Sequence, residues 1–217
     1  MKVINLGAGN TLLNQFISEL RDRNVQKDRL RFRRNLERCG EVFAYEISKT
    51  LKYESRDVET PLGIAQCNLI SDQIVLSTIL RAGLPLHQGL LNYFDKAENA
   101  FVAAYRKYGK DNKIKIQYEY STNINVQDKV LIIADPMLAT GASMVLAYDK
   151  LNEMGTPTHT HIVSLIASAD GVEYLSRNLP HKKVTCWLGA IDEELTNQMY
   201  IVPGLGDAGD LAYGSKL

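Results

Sequence analysis

The feature that most constrains the fold is the stretch of residues 129–143, which reads KVLIIADPMLATGAS. Residues 130–134 are all apolar, and this run is long enough for one strand buried on both faces but too short for a helix. The strand should end at Asp135-Pro136, because proline has no backbone N–H with which to continue a hydrogen-bonded ladder. The sequence MVLAYDKLNEMG, which follows Ser143, has a helical pattern. We therefore predict a buried strand, a short loop and a helix in immediate succession.

The loop between this strand and helix has the composition of an anion site. Its N–H groups and the positive end of the following helix should face outward, where they attract negative charge. Its hydroxyl groups add further donors, and Asp135 at the strand end suits a ribose diol because a carboxylate accepts two hydroxyl hydrogen bonds. The residues of this loop are Ala139, Thr140, Gly141, Ala142 and Ser143.

Composition restricts the class of protein. The chain has 217 residues, which is suitable for one domain spanning 1–217. Lys+Arg and Asp+Glu both number 25, so no net field favours nucleic acid or a membrane as a partner. No apolar run reaches the about 18 residues that cross a bilayer. The first ten residues lack a signal-peptide core, and three cysteines without metal-like spacing indicate reduced thiols, so we expect a cytoplasmic protein.

Strands and helices alternate along most of the chain. This order predicts an α/β fold, with an open, mainly parallel sheet flanked by helices and right-handed crossovers. An N-terminal helical region is expected over residues 1–52. Predicted strands cover residues 74–80, 100–105, 113–120, 130–134, 161–167 and 184–188, and predicted helices cover 11–21, 28–51, 86–94 and 171–178.

Two further segments have features of binding loops. Arg81-Ala82-Gly83 follows a predicted strand and precedes a helix, which repeats the geometry of the central motif and predicts a second anion site. The segment from Arg106 to Lys110 is basic, contains Gly109 and lies between two predicted strands. Two interpretations are open: a flexible flap over residues 106–120, and a solvated hairpin tip.

The tail of residues 190–217 has no strong periodicity. Its glycines, Gly204, Gly206, Gly209 and Gly214, indicate a backbone that approaches something closely. We predict a hood that reads a flat base with main-chain groups, with a plain C-terminal loop as the alternative.

The roles of a basic segment and of a pair of histidines are open from the sequence. The basic residues of segment 27–38 form either a solvated helix face or a site for an acidic neighbouring subunit or an effector nucleotide. His159 and His161 share one face of a strand, as metal ligands can, but no third ligand is in view and we expect surface histidines.

Three motifs carry a resemblance to a known family. Residues 135–141, DPMLATG, resemble the 5-phosphoribosyl-1-pyrophosphate (PRPP) loop of type I phosphoribosyltransferases. Pro136 stands where most of that family has a second acid, and this variant is similar to the uracil phosphoribosyltransferase branch. Residues 200–210, YIVPGLGDAGD, and 79–84, ILRAGL, resemble the same branch, with weaker similarity in residues 31–46.

The resemblance implies transfer of phosphoribose from PRPP to uracil, which gives UMP and pyrophosphate in pyrimidine salvage. It implies Arg81, Arg106, Asp135 and Asp207 as catalytic residues. The substrate-binding residues that it implies are Lys107, Met137, Ala139, Thr140, Gly141, Ala142, Ser143, Ile201, Gly206, Asp207 and Ala208. The main chain of Ile201, Gly206 and Ala208 would read the acceptor–donor–acceptor edge of uracil.

The resemblance also implies cofactor and partners. Mg²⁺ is expected to arrive chelated by PRPP rather than in a protein cage, with Asp207 near ribose or a metal-bound water. Members of the branch assemble as homodimers or higher homo-oligomers, and a GTP effector is left open. The branch usually has glycine at the positions of Ala142 and Met199, which puts the local backbone there in question. Two other functions remain open: a phosphoribosyltransferase for another base, and a non-enzymatic regulator that senses UMP and binds RNA.

Overall fold

The structure is a computed structural model that describes the backbone of residues 1–108 and 114–215, and the side chains of these residues outside 104–121. Its strands are β1 (Lys2–Asn5), β2 (Tyr53–Thr60), β3 (Gly63–Ile70), β4 (Ile74–Leu80), β5 (Glu98–Tyr108), β6 (Ile114–Ser121), β7 (Val130–Ala134), β8 (Met137–Leu138), β9 (His159–Ser168), β10 (Val184–Asp192), β11 (Glu194–Leu195) and β12 (Ile201–Val202). Its α-helices are α1 (Leu12–Arg21), α2 (Arg29–Ser48), α3 (Leu84–Tyr93), α4 (Ala142–Asn152), α5 (Ala169–Asn178) and α6 (Ala208–Tyr213), and short 3₁₀ helices cover Leu6–Ala8 and Val25–Lys27.

The main sheet confirms the predicted fold class. Its strand order is β1-β10-β9-β7-β4-β5-β6, and every pair along this path is parallel except β5 with β6. The central strand β7 is buried along its whole length, as its apolar run predicts. Helices cover both faces of the sheet. Because β4 and β7 are parallel neighbours, their carboxyl ends meet at one edge, where the following loops are free to form a site.

The core lies in two layers, one on each face of the sheet. Ile132 faces the layer that contains Phe32 and Phe43 of α2. Leu131 faces the opposite layer, which contains Met144 of α4. Successive side chains of a strand point to opposite faces, so one short strand contributes to both layers.

Several segments differ from the sequence-based expectations. Residues 2–5 form an edge strand paired with β10, within the region predicted to be helical. Pro61-Leu62-Gly63 predicts that residues 54–68 are irregular or form short paired strands. Instead, β2 and β3 form one regular antiparallel hairpin with eight residues in each strand. The strand β5 extends to Tyr108, so Arg106 and Lys107 lie in a strand opposite Ile116 and Lys115 rather than in a turn. Gly109 and Lys110 lie outside the described residues.

The two histidines at the start of β9 have different environments. His161 is 3% exposed, so the expectation of a surface residue is wrong for it. Trp187 Nε1 donates to His161 Nδ1 at 3.0 Å, and His159 is hydrogen-bonded to Thr185 Oγ1 at 2.9 Å. Burial lowers the pKa of His161 to about 3, and the neighbouring His159 adds to this. A neutral imidazole that accepts from an indole is therefore a core element.

The basic side chains in the first half of α2 largely bind groups of the same chain. Arg31 forms a two-pronged pair with Glu19 of α1, with N···O distances of 2.9 and 2.8 Å. Arg33 donates to the carbonyl oxygen of Ala212 at 2.7 Å, at the end of α6. A cation is favourable at a helix C-terminus, so this contact fastens the tail to α2.

Among the described residues, no helix has both the length and the apolarity that crossing a membrane requires. The cysteines Cys39, Cys67 and Cys186 are free thiols.

Candidate functional site

A cleft of about 310 Å³ lies at the carboxyl ends of β4 and β7, where the loops after these strands meet the tail. In open α/β sheets this is the edge at which ligands bind. The residues that line it are Ile79, Leu80, Ala82, Asp135, Met137, Leu138, Ala139, Thr140, Gly141, Ser143, Met144, Gln198, Met199, Tyr200, Ile201, Gly206, Asp207, Ala208 and Gly209.

The loop of residues 139–143, hereafter the phosphate loop, has a fixed backbone. Gly141 has a φ of +78° and precedes α4, whose first residue is Ala142. Ala142 therefore has helical backbone angles, which an alanine adopts without strain. Ser168 Oγ donates to the carbonyl oxygen of Ala139 at 2.5 Å and accepts from the N–H of Gly171 at 2.8 Å. The start of α5 thus holds the loop in place, with the first turn of α4 next to it.

Asp135 is positioned by the end of β7. Its backbone N–H donates to the carbonyl oxygen of Val163 at 3.0 Å, which continues the sheet one residue beyond the strand. Its Oδ1 accepts from the N–H of Met137 at 3.4 Å. The side chain is half-buried and lines the cleft beside the phosphate loop. A carboxylate held in this way suits the hydroxyl groups of a sugar.

The loop after β4 presents Leu80 and Ala82 to the cleft, whereas Arg81 is not among the lining residues. Arg81 Nη2 donates to Asp210 Oδ1 at 3.1 Å and to the carbonyl oxygen of Gly214 at 3.2 Å. The Leu80–Arg81 peptide bond is cis. The two hydrogen bonds to Asp210 and Gly214 direct the guanidinium toward the tail.

The tail segment that lines the cleft is held by a partly buried ion pair. Arg21 donates to both carboxylate oxygens of Asp192 at 2.7 Å and to the carbonyl oxygen of Gly204 at 2.8 Å. Asp192, which is 7% exposed, also accepts from the N–H of Gly204 at 2.9 Å. Such bidentate pairs fix geometry as well as charge. This network fixes the backbone of Gly204 shortly before Gly206 enters the cleft.

The helix α6 begins directly after this segment. Asp207 Oδ1 accepts from the N–H of Asp210 at 3.0 Å and caps the helix. Gly206 has a φ of +96°, a conformation that side chains disfavour. Asp207 therefore has a structural role in addition to its place at the cleft.

The structure brings most of the predicted site residues into one cleft. Arg81 and Ala142 are outside the lining, and the side chains of Arg106 and Lys107 lie outside the described residues. Those that line it are Asp135, Met137, Ala139, Thr140, Gly141, Ser143, Ile201, Gly206, Asp207 and Ala208.

Sequence reasoning missed the turn between β11 and β12. Gln198, Met199 and Tyr200 line the cleft, and the N–H of Met199 donates to the carbonyl oxygen of Thr196 at 2.8 Å. Met199 has a φ of +62°, a left-handed conformation that glycine adopts more easily. Turn residues have no periodicity, and the unusual residue at position 199 was the one available signal.

Two carboxylates at the cleft have the chemistry of ligands to a divalent cation. Mg²⁺ typically keeps several waters and binds through one or two carboxylates together with substrate phosphates. Asp135 and Asp207 provide two carboxylates at the cleft. In the described part of the chain, no group of three or more acids, histidines or cysteines forms a protein cage for a metal ion.

Comparisons with known proteins identify the family. The family model of uracil phosphoribosyltransferase matches residues 8–215. The chain is 58% identical to a uracil phosphoribosyltransferase of Porphyromonas gingivalis, with all of both chains covered. It is 37% identical to a uracil phosphoribosyltransferase of Pyrococcus furiosus, covering 94% of this chain and 86% of the relative.

Solved structures agree with this at the level of the fold. The AQ2163 protein of Aquifex aeolicus superposes with a TM-score of 0.87 at 28% identity, covering 99% of each chain. A hypoxanthine phosphoribosyltransferase of Staphylococcus aureus has a TM-score of 0.51 at 12% identity, covering 74% of each chain. From its family model and its full-length relatives, the chain belongs to the uracil phosphoribosyltransferase family.

Proposed function

We propose that this protein transfers phosphoribose from PRPP to uracil, with UMP and pyrophosphate as products. The observation that carries the proposal is one cleft in which a helix-start phosphate loop, a carboxylate and a backbone-lined tail segment meet. This combination suits a substrate with a phosphate, a sugar and a flat base. Membership of the uracil phosphoribosyltransferase family supports the same reaction.

The phosphate loop would hold the 5-phosphate. Its N–H groups lie at the start of α4, and Thr140 and Ser143 bring hydroxyl donors to the cleft. Asp135 would accept the ribose hydroxyl groups beside it. Holding both ends of the phosphoribose orients the anomeric carbon toward the base, and fixed orientation removes much of the entropic barrier.

The tail would select uracil by hydrogen bonding. Uracil presents an acceptor, a donor and an acceptor along one edge, which two backbone N–H groups and one carbonyl oxygen complement. Ile201, Gly206 and Ala208 line the cleft and have such groups to offer. Cytosine carries an amine at one acceptor position, so it would place a donor against a donor and leave both unpaired.

The departure of pyrophosphate requires positive charge. Arg81, Arg106 and Lys107 are the cations that we assign to it. Asp135 and Asp207 would hold Mg²⁺ that arrives with the substrate, and the ion would supply further positive charge to offset that of the leaving group. The paired strands β5 and β6 would form the flap that brings Arg106 and Lys107 over the cleft. Arg81 would have to turn from Asp210 toward the leaving group.

We also propose that the protein is a homodimer or a higher homo-oligomer in the cytoplasm. The β2–β3 hairpin forms a sheet of its own, and all eight residues of β2 are exposed. An isolated two-stranded hairpin is marginally stable in water, and this one exposes large apolar side chains. Ile64 is 73% exposed and Leu69 is 44% exposed. A second copy of the chain would cover them.

The test is pyrophosphate release from PRPP and Mg²⁺ with uracil, cytosine, hypoxanthine and orotate offered separately. We expect release with uracil alone. Asp135→Asn should reduce the rate on the order of a hundredfold, because an aligned acceptor in the closed site is lost. Asp149→Asn is the matched control, since Asp149 is exposed on α4 and away from the cleft lining.

Other outcomes would redirect the proposal. Release with a different base would contradict the assigned role of the tail and keep the PRPP half of the site. Binding of UMP without turnover of any base, together with salt-dependent RNA binding, would favour the regulator.

A further inference from the structure

One side chain links the loop after β4 to the tail. Arg81 Nη2 donates both to Asp210 Oδ1 at 3.1 Å and to the carbonyl oxygen of Gly214 at 3.2 Å. Its Nε is buried and has no hydrogen-bond partner among the described residues. The tail therefore holds Arg81 without using all the donors of its guanidinium.

Asp210 also connects Arg81 to residues 206–208, the segment that we assign to binding the base. Asp210 lies in the first turn of α6, and its N–H donates to Asp207 Oδ1 at 3.0 Å. A Cβ added to Gly209 would lie 3.8 Å from Arg81 Nη2 and 3.9 Å from Ala82 Cβ. The start of α6 thus lies directly on residues 81 and 82, and Arg81 connects it to the loop that we assign to pyrophosphate.

We propose that Asp210 is a positioning residue that holds Arg81 against α6, and that pyrophosphate competes with Asp210 for this guanidinium. The inference rests on the proposed function, because it takes Arg81 as a pyrophosphate contact. It assigns to Asp210 an effect on both substrates.

The two effects have opposite signs. A protein that must break an internal contact before it binds a ligand has a reduced apparent affinity for that ligand. The Arg81–Asp210 pair therefore weakens pyrophosphate and PRPP binding. The same pair steadies α6 and the preceding residues 206–208, so it strengthens uracil binding.

The solvent exposure of the Arg81–Asp210 pair limits how much it changes either affinity. The side chains of Arg81 and Asp210 are 38% and 37% exposed, so solvent screens the pair. Exposed pairs of this kind change an affinity by at most about fivefold.

The experiment compares the unaltered chain with Asp210→Asn and Asp210→Glu. Calorimetry with pyrophosphate and Mg²⁺ should give about two- to fivefold tighter binding for Asp210→Asn. Steady-state kinetics should give a lower KM for PRPP and a higher KM for uracil. Asp210→Glu retains the charge and should restore both values toward those of the unaltered chain. A purely structural role for Asp210 would move both KM values in the same direction.

The matched control is Glu173→Gln, which removes an exposed acid paired with Arg177 on α5. It should change neither pyrophosphate affinity nor the two KM values. Unchanged or weaker pyrophosphate binding in Asp210→Asn would overturn the inference. This comparison is separate from UMP formation by the unaltered chain: if no UMP forms, the proposed function fails, and the pyrophosphate affinities still decide the competition.

Discussion

Thr78 Oγ1 donates a 2.9 Å hydrogen bond to the carbonyl oxygen of Ala134, and this bond joins the ends of the two strands that carry the site. Thr78 and Ala134 are register partners in β4 and β7, and both are fully buried. Asp135 follows Ala134 directly, and the loop containing Arg81 follows β4. The bond therefore helps to set the spacing between Asp135 and the loop after β4.

Replacing Thr78 with valine tests this bond. Thr78→Val keeps the shape of the side chain but removes the donor, and should lower the free energy of unfolding by about 1 kcal/mol. Urea denaturation measures this loss. Ser77→Ala is the matched control, since Ser77 Oγ is buried and has no partner in the described structure. Removing an unpaired polar group should leave stability equal or higher. Equal losses in both variants would show that the Thr78 bond has no special role.

Gly83 is required by the space beside Thr78. A Cβ added to Gly83 would lie 2.0 Å from Thr78 Oγ1 and 2.8 Å from the carbonyl oxygen of Ile79. Gly83→Ala should cost about 1–3 kcal/mol of stability and displace the loop after β4, so activity should also fall. Thermal unfolding and a PRPP saturation curve measure both effects. Gly9→Ala should be silent, because a Cβ added there meets nothing within 4 Å; a native-like Gly83→Ala would contradict the steric argument.

The buried His161 makes stability depend on pH. The folded protein resists protonation of this residue down to its lowered pKa of about 3, whereas an ordinary histidine takes up a proton near 6.5. The contribution of neutral His161 to the free energy of unfolding is therefore complete above pH 6.5. It is lost as pH falls from 6.5 toward 3, at up to about 1.4 kcal/mol per pH unit. His87 and His159, whose pKa values burial also lowers, add losses of the same sign.

Variants separate the contribution of His161. His161→Gln removes the titrating ring and retains an acceptor for Trp187. Because glutamine takes up no proton, the loss of unfolding free energy between pH 6.5 and 4 should become smaller. His181→Gln is the control, since His181 is exposed and bonded to the carbonyl oxygen of Ser176. Denaturation curves at four pH values measure both slopes, and an unchanged slope in His161→Gln would exclude His161 as the source.

The proposed assembly predicts a selective effect in the β2–β3 hairpin. Ile64→Asp should shift the protein toward monomer in sedimentation velocity, because it places a charge in the apolar surface that a second copy would cover. Leu12→Asp is a matched control, since Leu12 on α1 and Ile64 are both 73% exposed. A monomeric unaltered chain, or equal shifts in the two variants, would rule out the hairpin as the contact.

Local patterns were sufficient for the central elements. The strand limits 74–80 and 130–134 agree with β4 and β7, because runs of β-branched and apolar residues bounded by glycine, proline or charge leave little choice of conformation. The strand–loop–helix arrangement of β7 and α4 was predictable for the same reason, since its residues are adjacent in the chain. The substrate class came from motifs at residues 79–84, 135–141 and 200–210, and the family comparisons agree with it.

Contacts between distant segments were decided by the tertiary structure alone. Arg81 and Asp210 are 129 positions apart, and Arg21 and Asp192 are 171 apart, so no local pattern relates them. β1 has only four residues and takes its structure from β10. By itself the sequence determined the central strands, the main helices and the loop between β7 and α4, because backbone preference and side-chain period are local properties. The partner of each charge, the burial of His161 and the direction of Arg81 depend on which surfaces meet when these elements pack, and only the folded chain decides that.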